Sequence, residues 1–445
     1  MSVEDKYMNY KTIAEQIFLS GIESVLPDRL INRVMSLHEN SLKIDNLSYN
    51  LETIENIYVI GAGKASAMMG AEVEKILGNH ITEGHIVVKY GHSIDLKYIN
   101  VSEAGHPVPD SNGYKATEEI MKIARIASCN DLIICLLSGG GSSLLVDIPE
   151  GCSSEDFALL NDLLIKSGAS ISEINAVRKH LSVVKGGQLA RVVYPATLVS
   201  LILSDVPGNH LDVIASGPTV PDPTTYLQAL TVLANFELTR DIPRRILTNL
   251  KEGAAGKRPE TPKPDDRIFS NTFNFLVGSN IVALEASKRR ALDFNINAII
   301  IDDQLQGDTF TVAEYLVDTC LKFKNDINEI KPVCLLFGGE TTVRVTGNGL
   351  GGRNQHLALQ LAILIQNIPG ITILSAGTDG NDGPTDIAGA VVDSDTIAEA
   401  ISKKIDPQMY LTEFDSFHFF RKTGNQIITG PTMTNVMDII VVLIR

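Results

Sequence analysis

The chain has 445 residues, of which 44% are hydrophobic and 20% are charged, and this composition predicts a globular protein of two domains. Its formal net charge of −15 argues against nucleic acid or an anionic membrane as a partner. The start of the chain lacks the apolar segment of a signal peptide, and the longest apolar runs are too short to span a membrane. The five cysteines show no CxxC spacing, so we expect a reduced protein of the cytoplasm.

Apolar strands alternate with helical patterns along most of the chain, which predicts an α/β fold of two α/β domains with mostly parallel sheets. Residues 8–50 have helical apolar spacing. We expect an N-terminal Rossmann-like α/β domain over residues 1–250 and a C-terminal α/β domain over residues 268–445. Residues 251–267 are polar, contain three prolines and lack an apolar pattern, which predicts a linker or a surface loop.

The first candidate site is the sequence GAGKAS at residues 61–66, which follows the predicted strand Ile57–Ile60 and opens a helix. A glycine turn at a helix N-terminus is typical of phosphate sites. Ala65 follows the lysine where a Walker A loop needs Ser or Thr, and the next strand lacks the acidic residue of a dinucleotide fingerprint. Lys64 opposes the helix dipole, a cost that a bound anion would offset. The alternative is a lysine that extends into solvent.

The second candidate site follows the apolar strand Asp131–Leu137 and consists of serines and glycines. Their backbone N–H groups and hydroxyls suit a phosphate or a carboxylate. A turn without a ligand would not need three consecutive glycines. The candidate substrate-binding or phosphate-binding residues are Ser138, Gly139, Gly140, Gly141, Ser142 and Ser143.

Residues 175–189 have helical spacing, which predicts one face bearing Asn175, Arg178, Ser182 and Lys185. Two cations and no acidic residue stand on this stripe, so Arg178 and Lys185 are candidate anion-binding residues. The alternative is an ordinary solvated face. In the loop GHPVPDSNG, His106 is a possible ligand contact, although a lone histidine in a proline-containing loop is more often structural.

Asp205 follows the predicted strand Leu198–Leu203. Ligands of open α/β sheets gather at the carboxyl ends of strands, so Asp205 is a candidate catalytic carboxylate near the two anion sites. Asp379 lies in a glycine-rich loop after the predicted strand Ile371–Leu374. It could act as a base or hold Mg²⁺ through water, and the alternative is an Asp-Gly turn that binds nothing.

A glycine-rich stretch, GGETTVRVTGNGLGGRNQ, covers residues 338–355 after another apolar strand. Part of it predicts a hairpin, Thr341–Thr346, closed by an Asn-Gly turn. Its end, GGRNQ, places Arg353 at a helix start, where free N–H groups favour an anion. Arg353 is a candidate catalytic residue, and the candidate binding residues here are Glu340, Gly351, Gly352 and Asn354. Cations, backbone donors and carboxylates together suit phosphoryl transfer.

Seven long motifs occur in a fixed order: GAGKAS, GHPVPDSNG, LLSGGGSSLL, NAVRKHLSVVKGGQLAR, SDVPGNHLDVIASGPTVPD, GGETTVRVTGNGLGGRNQ and SAGTDGNDGPTD. With these motifs the chain resembles the class II glycerate kinases (the MOFRL family) from about residue 55 to the C-terminus. The resemblance implies ATP-dependent phosphorylation of D-glycerate at its 2-hydroxyl, with Mg²⁺, giving 2-phosphoglycerate and ADP. It also implies a MOFRL-type C-terminal domain and an active site in the cleft between the two domains. The functional lysine and arginine of the family fall on Lys64 and Arg353.

Our mechanistic hypothesis has three parts. The 138–143 loop and Arg178 or Lys185 hold the carboxylate of glycerate, Lys64 and Arg353 contact the transferring phosphoryl group, and Asp205 or Asp379 takes the hydroxyl proton or carries the metal. The metal ligands stay open, and we expect a monomer or a homodimer. Two alternatives remain: a nicotinamide-dependent hydroxypyruvate reductase and a non-catalytic phosphosugar-binding protein.

Overall fold

The computed structural model describes residues 9–326 and 331–445. The sequence prediction that the chain starts without a signal peptide concerns residues 1–8, which lie outside the described part. The chain divides into two compact units. One unit is Leu30–Val277, and the other joins the chain up to Arg29 with Gly278–Arg445. In both units strands alternate with helices, which confirms the α/β class. No helix of the described ranges combines the length and apolar character that crossing a membrane requires.

The elements of the described residues follow in chain order. The α-helices are α1 (Tyr10–Ser24), α2 (Pro27–Val34), α3 (Ser66–Leu77), α4 (Ser111–Ile126), α5 (Gly141–Leu144), α6 (Ser154–Lys166), α7 (Ile171–Lys179), α8 (Gln188–Val193), α9 (Tyr226–Asn235), α10 (Arg244–Ala254), α11 (Asn280–Asp293), α12 (Thr309–Asn325), α13 (Arg353–Ile365), α14 (Thr396–Ser402), α15 (Pro407–Thr412) and α16 (Ser416–Thr423). The strands are β1 (Met35–His38), β2 (Ser41–Ile44), β3 (Leu47–Asn50), β4 (Ile57–Ala62), β5 (Ile81–Lys89), β6 (Ile99–Ala104), β7 (Leu132–Leu137), β8 (Thr197–Leu203), β9 (Thr272–Gly278), β10 (Asn297–Asp308), β11 (Val333–Thr342), β12 (Ile371–Gly377), β13 (Gly389–Asp393), β14 (Gln426–Ile427) and β15 (Asp438–Ile444).

The main sheet of the Leu30–Val277 unit has the strand order β6-β5-β4-β7-β8-β9. The strands from β6 to β8 pair in parallel, as predicted for this domain. Every residue of the central strands β4 and β7 is buried, which explains their continuous apolar sequences. Ala62 and Leu137 are partners at the carboxyl ends of these two strands. The register therefore brings the GAGKAS loop and the SGGGSS loop side by side.

The sheet of the Gly278–Arg445 unit has the order β10-β11-β15-β12-β13-β14 and is mixed. Only β10 and β11 pair in parallel, whereas the other pairs are antiparallel. The prediction of a mostly parallel sheet is wrong for this unit. The C-terminal strand β15 runs between β11 and β12 in the opposite direction, and an apolar run in a sequence does not encode the direction of its neighbours.

The N-terminal residues differ from the helical prediction after α2. Residues 35–50 form the three-stranded antiparallel sheet β1-β2-β3, and β2 alternates exposed and buried side chains, as a strand with one covered face does. Helix α1 belongs to the Gly278–Arg445 unit, where Ser287 Oγ donates to the Ile17 carbonyl at 3.0 Å. This division differs from the predicted domain of residues 1–250.

Residues 251–267 pack within the Leu30–Val277 unit instead of joining the two units. Helix α10 continues to Ala254, and the buried Thr261 donates to Asp222 Oδ2 at 3.0 Å. The predicted hairpin over Thr341–Thr346 is wrong, because no strand follows β11 before α13. The backbone there bonds a distant segment instead, with Gly349 N donating to the Glu413 carbonyl at 2.8 Å.

Candidate active site

The two glycine loops after β4 and β7 are joined by hydrogen bonds. Gly63 has φ +135°, and a Cβ at this position would lie 2.4 Å from the Ser138 carbonyl oxygen, so only glycine allows the approach. Ser138 Oγ accepts from Ala65 N at 3.0 Å, while Lys64 N donates to the Gly139 carbonyl at 2.9 Å. Ser138 is buried. Its hydroxyl therefore binds the segment that leads into α3, and its predicted ligand contact stays a prediction.

The glycines of the second loop let three candidate side chains approach it. A Cβ on Gly139 would lie 2.0 Å from Asp205 Oδ2. A Cβ on Gly140, which has φ +83°, would lie 2.8 Å from the His106 ring and 3.6 Å from Lys64 Cγ. The structure thus brings Lys64, Asp205 and His106 around one loop, as the sequence predicted for the first two.

His106 carries a pKa lowered to about 4, because the ring is partly buried and lies near Lys64 and other cationic groups. It is therefore neutral at pH 7, and it can offer either a donor or an acceptor to a ligand. The sequence named it only as a possible contact. A histidine before a proline carries no sequence signal of its own, and only the structure places its ring beside Gly140.

A cavity of about 370 Å³ opens beside this loop. Five residues predicted to bind substrate line it, together with His106 and the unpredicted Asn161: Gly140, Ser142, Ser143, Arg178 and Lys185. The other predicted loop glycine, Gly141, packs against a neighbouring segment, since its Cβ would lie 2.8 Å from Ala215 Cβ. The remaining walls are largely apolar, with Val108, Phe157 and Ile165 among them.

The predicted helical stripe over residues 175–189 does not exist as one helix, because α7 ends at Lys179. Arg178 and Lys185 still reach the same cavity, since the chain turns before α8 begins. Arg178 Nε donates to Asn161 Oδ1 at 2.7 Å, and burial lowers the pKa of Arg178.

Lys185 is buried, and its side chain binds the backbone of the Ser138–Ser143 loop and of Leu145 after it. Its Nζ donates to the Ser142 carbonyl at 2.6 Å and to the Leu145 carbonyl at 2.9 Å. Burial lowers the pKa of Lys185 to about 7, although Asp147 opposes this shift. Asp147 accepts from Val183 N at 2.8 Å and from the Ser182 hydroxyl. Lys185 therefore helps to fix the loop, a role that the sequence did not predict.

In the Gly278–Arg445 unit Arg353 is held by two carboxylates. Its Nε and Nη2 donate to Asp438 Oδ2 and Oδ1 at 2.6 and 2.9 Å, and Nη1 donates to Glu340 Oε1 at 2.6 Å. Burial by itself would lower the pKa of Arg353, but the carboxylates of Asp438 and Glu340 together raise it, so Arg353 is permanently charged. Glu340 was a predicted site residue, but Asp438 was missed. Its only sequence signal is an acidic residue at the start of an otherwise apolar strand.

The start of α13, predicted to bind a substrate anion, is occupied by the protein's own Asp382. Its carboxylate accepts from Asn354 N at 3.0 Å and from Gln355 N at 2.8 Å. A Cβ on Gly352 would lie 2.3 Å from Asp382 Oδ1, and one on Gly351 would lie 2.2 Å from the Ser416 hydroxyl. The two glycines and Asn354 therefore make close internal contacts in this structure, and their role in binding a substrate stays a prediction.

Asp379 lies beside Asp438 at the carboxyl end of β12. A Cβ on Gly377 would lie 3.3 Å from Asp379 Oδ1 and 3.4 Å from Asp438 Oδ1. Asp379 also accepts from Asn381 N at 3.2 Å. Across residues 9–326 and 331–445, no three His, Cys, Asp or Glu side chains are grouped as a metal site. This unit places the carboxylates of Asp379 and Asp438 side by side, and Asp438 also binds Arg353.

Comparisons with known proteins place the chain in a family. Residues 13–251 match the model of a domain of unknown function (DUF4147), and residues 333–438 match the MOFRL family. The D-glycerate 2-kinase of Thermotoga maritima is 42% identical over 439 residues, which cover 98% of each chain. This chain belongs to the MOFRL family of glycerate kinases.

Two further comparisons concern the fold and the names of relatives. The crystal structure of the glycerate kinase of Thermotoga maritima matches with a TM-score of 0.86 and 39% identity, covering 98% of this chain and 99% of that chain. A relative from Agrobacterium vitis bears the provisional name of hydroxypyruvate reductase. It is 40% identical over 389 residues, which cover 87% of this chain and 86% of the relative.

Proposed function

We propose that the protein transfers the γ-phosphoryl group of ATP to the 2-hydroxyl of D-glycerate, giving 2-phosphoglycerate and ADP. The observation that carries this proposal is the 42% identity to a D-glycerate 2-kinase over 98% of both chains. The cavity beside the Ser138–Ser143 loop supports it. It combines the cation of Arg178 with the hydroxyls of Ser142 and Ser143, which suit a small acid that bears hydroxyl groups.

The transfer breaks the bond between the γ-phosphorus and the β–γ bridging oxygen and forms a bond to the 2-oxygen of glycerate. The hydroxyl proton must move to a base. We assign that base to Asp205, because its carboxylate lies against Gly139 at the edge of the loop. Asp379 remains the alternative base. Lys64, whose side chain approaches Gly140, would neutralise the oxygens of the transferring group.

Arg353 is proposed to contact the phosphoryl group as well. An arginine has five N–H donors, and three of them bond Asp438 and Glu340. One N–H on each terminal nitrogen is left for phosphoryl oxygens. Glu340 is the more exposed of the two partners, with 43% of its side chain accessible against 5% for Asp438. Asp438 therefore orients the guanidinium, and Glu340 is the partner that a phosphate can replace.

Mg²⁺ is proposed to arrive with ATP as part of the substrate. Mg²⁺ bound to a nucleotide usually takes one or two carboxylates from the protein, with phosphate oxygens and waters completing its shell. Asp379 is the carboxylate that we would assign to it, if Asp205 serves as the base. Cytoplasmic location and a monomeric or homodimeric state stay predictions from the sequence.

Phosphorus NMR of the reaction products tests the proposal. The purified protein is incubated with ATP, Mg²⁺ and D-glycerate, and we expect the signal of 2-phosphoglycerate. A signal of 3-phosphoglycerate would keep the kinase and overturn the acceptor position. If a folded sample forms no phosphorylated product, the proposal is wrong, and nicotinamide oxidation with hydroxypyruvate then tests the reductase.

A further inference from the structure

The hydroxyl of Ser142 is oriented by a chain of two buried residues. Ser216 is fully buried, and its hydroxyl donates to Asn175 Oδ1 at 3.4 Å. A hydrogen bond also joins Ser216 Oγ and Ser142 Oγ. Ser216 has a single proton, and a carbonyl oxygen such as Asn175 Oδ1 can only accept. We therefore assign Ser142 as the donor to Ser216, which leaves the lone pairs of Ser142 for a ligand.

The next serine has the same arrangement. Ser143 Oγ donates to the Gly140 carbonyl at 3.1 Å, so its proton is also directed into the protein. Both Ser142 and Ser143 line the 370 Å³ cavity. The hydroxyl oxygens of Ser142 and Ser143 are thus acceptors towards the cavity, which Arg178 also lines as a donor.

The backbone at Ala215 and Ser216 has positive φ angles, which supports the hydrogen-bonded chain from Asn175 through Ser216 to Ser142. Ala215 and Ser216 have φ angles of +50° and +61°, a left-handed conformation that costs energy in residues with a Cβ. Such a conformation persists where surrounding contacts require it. Here it places Ala215 against Gly141 and Ser216 against Ser142, so two consecutive residues of the strained segment support two consecutive residues of the loop.

We propose that Ser142 and Ser143 accept hydrogen bonds from substrate hydroxyls and so select an acid that carries a free 3-hydroxyl. This inference rests on the proposed function, which puts D-glycerate in this cavity. A carboxylate or phosphate oxygen would be repelled by the lone pairs and is left to the cations. Since the 3-hydroxyl takes no part in the transfer, its hydrogen bond serves recognition alone. Ser216 is then a positioning residue for this selection.

D-lactate provides the test, because it keeps the carboxylate and 2-hydroxyl of D-glycerate but has a methyl group at carbon 3. The measured quantity is the inhibition constant of D-lactate, as a competitor, divided by the KM of D-glycerate. We expect this ratio to exceed one in the wild type. It should fall about three- to tenfold in Ser142→Ala or Ser143→Ala, the range of one hydrogen bond, and further in the double variant.

The matched control is Ser270→Ala. Ser270 Oγ donates to the carbonyl of Arg267, three residues earlier, at 2.8 Å, so it makes the same bond as Ser143, and it does not line the cavity. The ratio should not change in this variant. Ser216→Ala frees the proton of Ser142, so it should lower the ratio by part of the Ser142→Ala effect while the KM for ATP stays constant.

An unchanged ratio in the double variant would overturn the proposal. An equal weakening of both ligands would also overturn it, because it would mean that the serines bind a group that the two acids share, the carboxylate or the 2-hydroxyl. If the double variant loses turnover, calorimetric dissociation constants for D-glycerate and D-lactate replace the kinetic ratio. The proposed kinase activity is tested separately, by the phosphorus NMR assay. If the wild-type protein forms no phosphoglycerate, the kinase proposal itself is wrong.

Discussion

Asp438 holds Arg353 through two parallel hydrogen bonds, with Nε at 2.6 Å from Oδ2 and Nη2 at 2.9 Å from Oδ1. Asp438 is the first residue of β15, the strand between β11 and β12. A paired geometry of this kind fixes the plane of the guanidinium group. The position of Arg353 therefore depends on a strand that begins 85 residues later in the chain.

Replacement of Arg353 by alanine should lower kcat by about 10³–10⁵, the loss seen when a cation at a phosphoryl-transfer transition state is removed. It also leaves the buried Asp438 without its cation, so the free energy of unfolding should fall by roughly 3 kcal/mol. Asp438→Asn should lower kcat because the guanidinium is no longer held. Steady-state kinetics with saturating ATP and chemical unfolding measure the two effects.

The control for this pair is Glu119→Gln. Glu119 pairs with Lys122 at 2.7 Å, and about half of each side chain is exposed, so its loss should leave the free energy of unfolding and kcat almost unchanged. If Asp438→Asn in the Arg353→Ala background lowers kcat as much as it does in the wild type, then Asp438 does not act through Arg353.

Lys64→Ala should reduce turnover by a similar factor of about 10³ or more while the protein stays folded. The loop bond from Lys64 N to the Gly139 carbonyl is a backbone bond, at 2.9 Å, and survives the substitution. Circular dichroism and a kinase assay on the same sample check both parts. Lys115→Ala, which removes an exposed lysine of α4, should retain activity. Turnover near the wild-type level in Lys64→Ala would exclude Lys64 from the transfer.

Asp382 makes stability depend on pH, because burial raises its pKa to about 6 from an ordinary 3.8. Between pH 4 and 6 the folded state binds more protons at this group than the unfolded state. Its contribution to stability is therefore greatest near pH 4 and declines as the pH rises to about 6. The free energy of unfolding of the wild type minus that of Asp382→Asn should fall across this range. Asp406→Asn, at the exposed cap of α15, serves as the control, and a flat difference for Asp382→Asn would contradict the prediction.

Gly140→Ala tests the contact between the glycine loop and His106. Gly140 and Gly91 have nearly equal φ angles, +83° and +80°, so alanine costs each about 1–2 kcal/mol of backbone strain. A Cβ on Gly140 would also meet the His106 ring at 2.8 Å, whereas one on Gly91 meets nothing within 4 Å. We expect Gly140→Ala to raise the KM for glycerate and Gly91→Ala to leave it unchanged. Equal kinetics in the two variants would show that the close approach is not required.

The loops of the first unit could be predicted because their chemistry is local. A buried apolar strand followed by glycines and a helix start is one continuous segment, and parallel pairing of β4 with β7 brings two such segments together. Lys64, Asp205 and the Ser142–Ser143 pair were found in this way. The roles of single hydroxyls were not, because Ser138 bonds Ala65 while Ser142 bonds Ser216, and those partners are distant in sequence.

By itself, the sequence determined the α/β class, the glycine loops at the ends of buried strands and the glycerate kinase family, since each of these is written in contiguous residues. Only the tertiary structure decided that β15 enters the second sheet antiparallel and brings Asp438 to Arg353. It also decided that Asp382 fills the helix start predicted for a substrate anion. The physical reason is the same in both cases. The residues next to a carboxylate in the sequence do not identify its bonding partner. Its pairing therefore depends on which distant segment packs beside it.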